Sequence, residues 1–372
     1  MKKAIAALAV IAALIAAILI FSTRFTVADN IYVEWQGDKV SIRGKGSGGL
    51  KWQSKRGMLS MSASESVGKN LKIHLSGHSN SGQFELTADK KTELILEGLS
   101  LNNSQGAALV LKGNKETLLT LKDSTVNLLG DAGIDAKGDL TIAGQGSLKI
   151  ESRLTGHKGI NIGGDLEVTG NPTITIITSG QPQTMTELAP PADAPGFHGN
   201  SDEGLPPLPP GFVKYDYSGT TKAIKAKGDI HINGGIITLR TSTPGAEGLE
   251  AKGFLYIDGG IVNVEAYDDA INVGMAMTVT DGEVSATSTH CDGIDINGGS
   301  LKPGAIPAQG WDPQRAKELQ NEPIYIQLGG KVKAATTAGP PEEGLDTDQR
   351  PINHIDGELI VEPDSKEMPR PF

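Results

Sequence analysis

Acidic side chains recur at a fixed offset in the second half of the chain. Glu247 and Glu250 flank a Gly-Leu pair, Asp269 and Asn272 an Ala-Ile pair, Asp292 and Asp295 a Gly-Ile pair, and Glu343 and Asp346 another Gly-Leu pair; Asp268 stands one place ahead of Asp269. Carboxylates and amide oxygens gathered in turns are the donors calcium (Ca2+) takes, six to eight oxygens in adaptable geometry. Magnesium demands a tighter octahedron, and zinc would want His or Cys. The single cysteine, Cys291, has only His290 beside it, which excludes a multi-Cys zinc site and an internal disulfide framework. Upstream, Lys158, Lys222 and Lys225 fall at the same offsets. That leaves a second reading open: a solvated face of Asp and Lys whose acids make turns with their own backbone.

The offsets matter because the chain repeats. AGIDAKGDLTIAGQGSLKI from Ala132, KGINIGGDLEVTGNPTITI from Lys158, KAIKAKGDIHINGGIITL from Lys222 and EGLEAKGFLYIDGGIVNV from Glu247 are copies of one pattern. DAINVGMAMTVTDGEVSA from Asp269, DGIDINGGSL from Asp292 and a worn copy at EGLDTD continue it. A period of about two dozen residues announces a solenoid. Within a copy the apolar residues alternate, as in Leu140, Ile142, Leu148 and Ile150, so each copy holds short strands with one buried face. Three strands and three turns make one rung of a parallel β-helix, with glycine expected in the turns for its freedom at positive φ. The 48 glycines among 372 residues and the 4% aromatic content fit a narrow core of Ile, Leu and Val. The leucine scaffold and helices of a leucine-rich repeat are missing. Stacking turns sequence columns into spatial columns about 4.8 Å apart. Two carboxylates at that spacing repel by about 1 kcal/mol in water and about 3.5 at an effective dielectric of 20, so an acidic ladder needs a counter-charge.

Residues 1–28 carry Lys2 and Lys3 ahead of an apolar run over 4–21, the layout of an export signal or a retained membrane anchor. The protein is expected outside the cytoplasm: secreted, periplasmic or at the cell surface, touching membrane only through that segment. Residues 29–130 read as irregular starting rungs or a cap, with a separate small sandwich as the alternative. Residues 131–362 read as the regular β-helix, interrupted by a proline-rich loop at 180–221 and by 302–323, where Asp312 and Pro313 signal a short helix. Residues 363–372 read as a tail. A formal charge of −10 argues against nucleic acid as partner.

The stretches AEGLEAKG, AYDDAIN, DGIDINGG and PEEGLDTD, together with YDYSGTTKAIKAKG from Tyr215 and LTLKDSTVNLLG from Leu119, resemble a family of secreted bacterial carbohydrate-binding β-helix proteins. That family is typified by a clostridial surface protein that binds cellulose and acidic plant polysaccharide. The likeness runs from about residue 30 to 360. It implies a right-handed parallel β-helix, similar to pectate lyases, with calcium held at its turns. Carried to this chain, the implied ligands are Glu247, Glu250, Asp269, Asn272, Asp292, Asp295, Glu343 and Asp346. Asp268 joins them from the residue pattern alone. Lys158, Lys222 and Lys225 depart from the acidic pattern, so the earlier rungs are expected to lack metal.

Three functions follow as expectations. The first is non-catalytic binding of a polysaccharide, with calcium bridging a uronate or with sugar rings stacked on Tyr215, Tyr217, Tyr267 or Trp311. The second is catalysis: a lyase would need an Arg or Lys near the ion, with Arg240 and Arg315 as candidates, and a hydrolase would need paired acids such as Asp268, Asp269 and Asp292. The third is a surface spacer or adhesin.

Overall fold

The computed structural model describes residues 30–44, 49–64, 71–188, 214–299 and 322–363, with Gln314 and Lys317 between them. The expected export segment and the 363–372 tail, apart from its first residue, lie outside the described residues, as do residues 189–213. So does most of the second insertion, where Gln314 and Lys317 carry helical backbone. Among the described residues no helix is long and apolar enough to cross a membrane.

Alternating apolar residues make short strands, and each strand satisfies its backbone by pairing with the equivalent strand one turn on. The result is a parallel β-solenoid of about ten turns. From Leu109 onward every turn contributes to three ladders. The first ladder runs through Leu109–Leu111, Ile134–Ala136, Ile160–Ile162, Lys222–Ala226, Glu247–Ala251, Ile271–Val273, Ile294–Ile296 and Leu345–Asp346. The second runs from Thr117–Leu121 through Leu140–Gly144, Leu166–Val168, Ile230–Ile232 and Leu255–Ile257 to Ile352–His354. The third runs from Val126–Asp131 through Thr173–Thr178 and Glu283–Ser288 to Glu358–Glu362.

Residues 30–102 belong to the same stack rather than to a separate sandwich. Lys72–Ser79 pairs in parallel with Thr92–Asn102, which pairs in turn with Thr117–Leu121, and Met58–Ala63 and Gln83–Ala88 extend the first ladder. The open end is finished by two antiparallel hairpins, Asn30–Gln36 with Lys39–Gly44 and Leu50–Lys55 with Met58–Ala63. The first insertion leaves the stack on an antiparallel ribbon, Thr184–Leu188 against Lys214–Ser218.

Inward positions are Ile, Leu, Val and Ala. Large rings enter mainly at the capped end, where Trp35 meets Phe84 edge-on at 6.3 Å and its Nε1 donates to the Gly57 carbonyl at 2.7 Å. Tyr325 is the exception further along, fully buried with its hydroxyl donating to Gln327 Oε1 at 2.8 Å.

The glycines divide into two columns with different causes. At the third ladder's entry φ is positive, +89° at Gly235, as expected for glycine in a turn. The glycine of the Gly-Ile motif is different: a Cβ on Gly133 would lie 2.0 Å from the Gly159 carbonyl oxygen of the next turn. Close approach of the stacked backbone, not a left-handed φ, selects glycine there.

Candidate metal centre and glycan-binding surface

The acids sit at the corner where the third ladder turns into the first. Serine and threonine hydroxyls buried at the end of the third ladder shape that corner. Ser288 Oγ donates to the Asp268 carbonyl one turn back at 2.7 Å and accepts from the Cys291 backbone N–H at 2.9 Å, while Thr336 Oγ1 donates to the Cys291 carbonyl at 2.5 Å. Thr241 Oγ1 donates within its own corner, to the Ala246 carbonyl five residues on at 2.7 Å.

The outward column of the first ladder stacks in register as Asp135, Asn161, Lys225, Glu250, Asn272, Asp295 and Asp346. Lys222 stands beside Glu247 in the column one turn-corner away. Charge along these columns is handled in two ways.

In the turns of Lys222 and Glu247 the counter-charge is lysine. Lys222 Nζ lies 2.6 Å from Glu247 Oε1 and 3.3 Å from Glu250 Oε2, and Lys225 Nζ lies 2.7 Å from Glu250 Oε2. Lys252 closes the ring on Glu250 Oε1. Burial favours the neutral acid at Glu250, yet Lys222, Lys252 and Lys225 outweigh it and hold the carboxyl far below its usual range. Burial likewise opposes charge on Lys222, but Glu247 and Glu250 raise its pKa above normal. Burial first, then the charge of Glu250, pushes Glu247 upward, and its Oε2 is buried without a hydrogen-bond partner among the described residues. Glu250, expected as a metal ligand, is held within the protein by three lysines, while Glu247, expected as another, meets Lys222 through Oε1 alone.

In the following turns no lysine pairs with Asp292, Asp295 or Asp346 among the described residues. Asp292, Asp295 and Asp346 each offer a carboxylate oxygen within 4.8 Å of the others. Asp268, Asp269 and the Cys291 sulfur form a second group on the same limit. Burial, then Glu342, Asp269 and Asp346, pushes Asp292 up to about 8. Asp295 is also pushed to about 8 by burial, then by Asp269, Asp346 and Asp348. Burial and then Asp268 raise Asp269 to about 6. Hydrogen bonds offset this only in part. Asn272 Nδ2 bridges Asp269 and Asp295 at 2.9 and 3.0 Å, Asn297 Nδ2 donates to Asp295 at 3.1 Å, and Asp292 Oδ1 accepts the Glu343 backbone N–H at 2.6 Å. Glu343 thus enters the network through its backbone.

A hard divalent cation fits the Asp292, Asp295 and Asp346 donor set: three carboxylates from stacked turns, crowded and short of positive charge. The Asp268 group fits less well, because burial and Asp268 hold the Cys291 thiol strongly protonated.

Of the expected sugar-stacking residues, Tyr267 lies beside this corner, stacked on His290 with centroids 3.8 Å apart and planes at 6°. Tyr215 and Tyr217 lie on the first insertion's ribbon, where they pair with Glu187 and Met185, and Tyr217 packs over Gly245. Trp311 and Arg315 lie outside the described residues. Arg240 is on the third ladder, with Nε 3.1 Å from Glu265 Oε2. His290 escaped notice in the sequence as an aromatic partner, because it lies 23 residues from Tyr267 and outside the repeated pattern; only its place one turn further on could have signalled it.

Fold and corner together define a parallel β-solenoid with an acid-lined edge. The family described as carbohydrate-binding domain-containing protein matches residues 65–183 and 212–302, more than half of the chain, and the protein belongs to it. A carbohydrate-binding domain-containing protein of Acetivibrio thermocellus is 29% identical over 112 residues, 26% of this chain and 38% of that protein's length. A solved structure described as a polysaccharide lyase-like protein from C. thermocellum, a gadolinium derivative, aligns with a TM-score of 0.46 at 15% identity, over 90% of this chain and 100% of that one.

Proposed function

We propose that this protein is an exported, calcium-dependent polysaccharide-binding solenoid that recognises acidic glycans without cleaving them. Family membership supports carbohydrate as the ligand class. The observation that carries the rest is the convergence of Asp292, Asp295 and Asp346 within 4.8 Å without a lysine among them. Calcium bound there would supply the missing positive charge and leave coordination positions for a uronate carboxylate. The Tyr267–His290 stack beside it offers an apolar surface for a sugar ring. Export rests on the N-terminal sequence, Lys2 and Lys3 followed by the apolar run over 4–21.

The test is calorimetric titration of oligogalacturonides into the full chain with calcium and then with chelator, while absorbance for unsaturated product is followed. Binding that disappears with chelator and leaves no product supports the reading. Binding indifferent to chelator removes the role of the ion, and accumulating unsaturated product replaces a binding protein with a lyase.

A further inference from the structure

The last turn of the solenoid leaves the core open. Ile352 takes the register of Tyr325, and Leu359 and Val361 take those of Val332 and Ala334, all three at 0% exposure in the turn before. In the last turn Ile352 is 46% exposed, and Leu359 and Val361 are only partly buried. Two hairpins close the opposite end, but no strand covers this one among the described residues.

Chain order supplies an occupant. Every turn passes from the third ladder through the acid corner into the first, so the residues after Glu362 lead toward the place above Leu345; of these, 364–372 lie outside the described residues. Glu362 is in register with Ala335, and Leu345 stands ten residues beyond Ala335. The same step from Glu362 reaches Phe372, and it sets Arg370 against Glu343 and Pro371 against Gly344. The seven-residue step of the turn before, from Thr287 to Ile294, would set Pro369 against Leu345 and match neither ring to core nor base to acid.

Hydrogen bonds at the corner fit the longer step. Asp292 N–H donates to Asp269 Oδ1 at 3.2 Å and Glu343 N–H to Asp292 Oδ1 at 2.6 Å, so a residue above Glu343 needs an N–H, which Arg370 has. Gly293 and Ile294 N–H donate to the Glu343 and Gly344 carbonyls at 3.0 and 2.9 Å. By that pattern the Gly344 and Leu345 N–H groups need only carbonyl acceptors from the next turn, and a proline carbonyl serves as well as any. Lacking an N–H, Pro371 offers no donor to a further turn, which is how natural sheets end an edge. Charge agrees: the acid column opens with Lys222, in register with Glu247 and 2.6 Å from it, and Arg370 would stand at its other end. We propose that residues 364–372 close the solenoid as a further first-ladder strand, with Phe372 over Leu345 and Arg370 over Glu343.

Hydrogen exchange is measured in chelator on the full chain and on a chain stopped after Pro363. The Gly344 and Leu345 amides should be protected in the full chain and exchange about tenfold or more faster in the shortened one, with Ile294 and Ile296 unchanged as the measure of intact turns. Within the full chain, Phe372→Asp and Arg370→Glu should each speed exchange at the same two amides, whereas Lys366→Glu, a charge reversal that this register puts outside the acid column, should not. The inference is overturned if both chains exchange alike there, or if Lys366→Glu acts as strongly as Arg370→Glu. Protection that fades on dilution as a dimer dissociates gives the open end to a second copy and overturns it too.

Discussion

Glu250 and Asp295 occupy the same outward column two turns apart, yet they live in opposite electrostatic worlds. Glu250 has three ammonium groups against it that favour its ionised form, whereas Asp295 has Asp269, Asp346 and Asp348 for company and is driven toward the neutral acid. This difference has a pH signature. Asp292 and Asp295 have an ordinary value of 3.8 and are raised to about 8 when folded, so the metal-free folded state holds more protons than the unfolded chain between those values. Stability from this pair is present below pH ~4 and is lost as pH climbs through ~8. In chelator the melting temperature should fall across that window. Added calcium should restore it, with a shift that grows as pH rises because the ion competes with protons for the same oxygens. A calcium shift that is flat in pH would mean the ion binds elsewhere.

At the level of the turn and the strand, stacking distance governs what each position tolerates. Gly133→Ala puts a methyl against the carbonyl oxygen of Gly159 and the side chain of Ile150. It should destabilise the fold by about 1–3 kcal/mol, read as a lower midpoint in urea, and a neutral result would mean the turns can separate locally. Much of this scale was legible in the sequence. A near-constant repeat fixed the register of Asp135 through Asp346, because any one-residue slip would bury polar residues and expose Ile and Leu. The split between lysine-neutralised and uncompensated turns was only half legible. Lys222 and Lys225 lie in the columns, but Lys252 reaches Glu250 from outside them, and Glu342 and Asp348 add charge from turn positions with no repeated spacing. The hydroxyls of Ser288 and Thr336 carried no signal either, since a serine or threonine closing a strand is ordinary until the carbonyl it ties down is known.

Over the whole molecule, the ladders make one continuous core, and two hairpins cover the end at which it starts. A rod of this kind presents long faces of fixed spacing, suited to a ligand that is itself a repeating chain. Its charge is distributed unevenly: Lys–Glu pairs such as Lys72–Glu93 and Lys112–Glu85 lace the early turns, and the converging acids Asp292, Asp295 and Asp346 lie in the later ones. Irregular rungs or a cap over 29–130 could be read in the sequence, but not which strands pair, because long strands such as Thr92–Asn102 fuse two ladders and erase the short-strand rhythm. The molecule's proposed role depends on whether carboxylates from consecutive turns hold one ion in common. Calcium titration calorimetry on the full chain, repeated with Asp292→Asn/Asp346→Asn, asks this directly. A saturable calcium site in the wild-type protein that the double variant loses, with the variant still folded, is the predicted result. Absence of calcium binding, or equal affinity in both proteins, would contradict it.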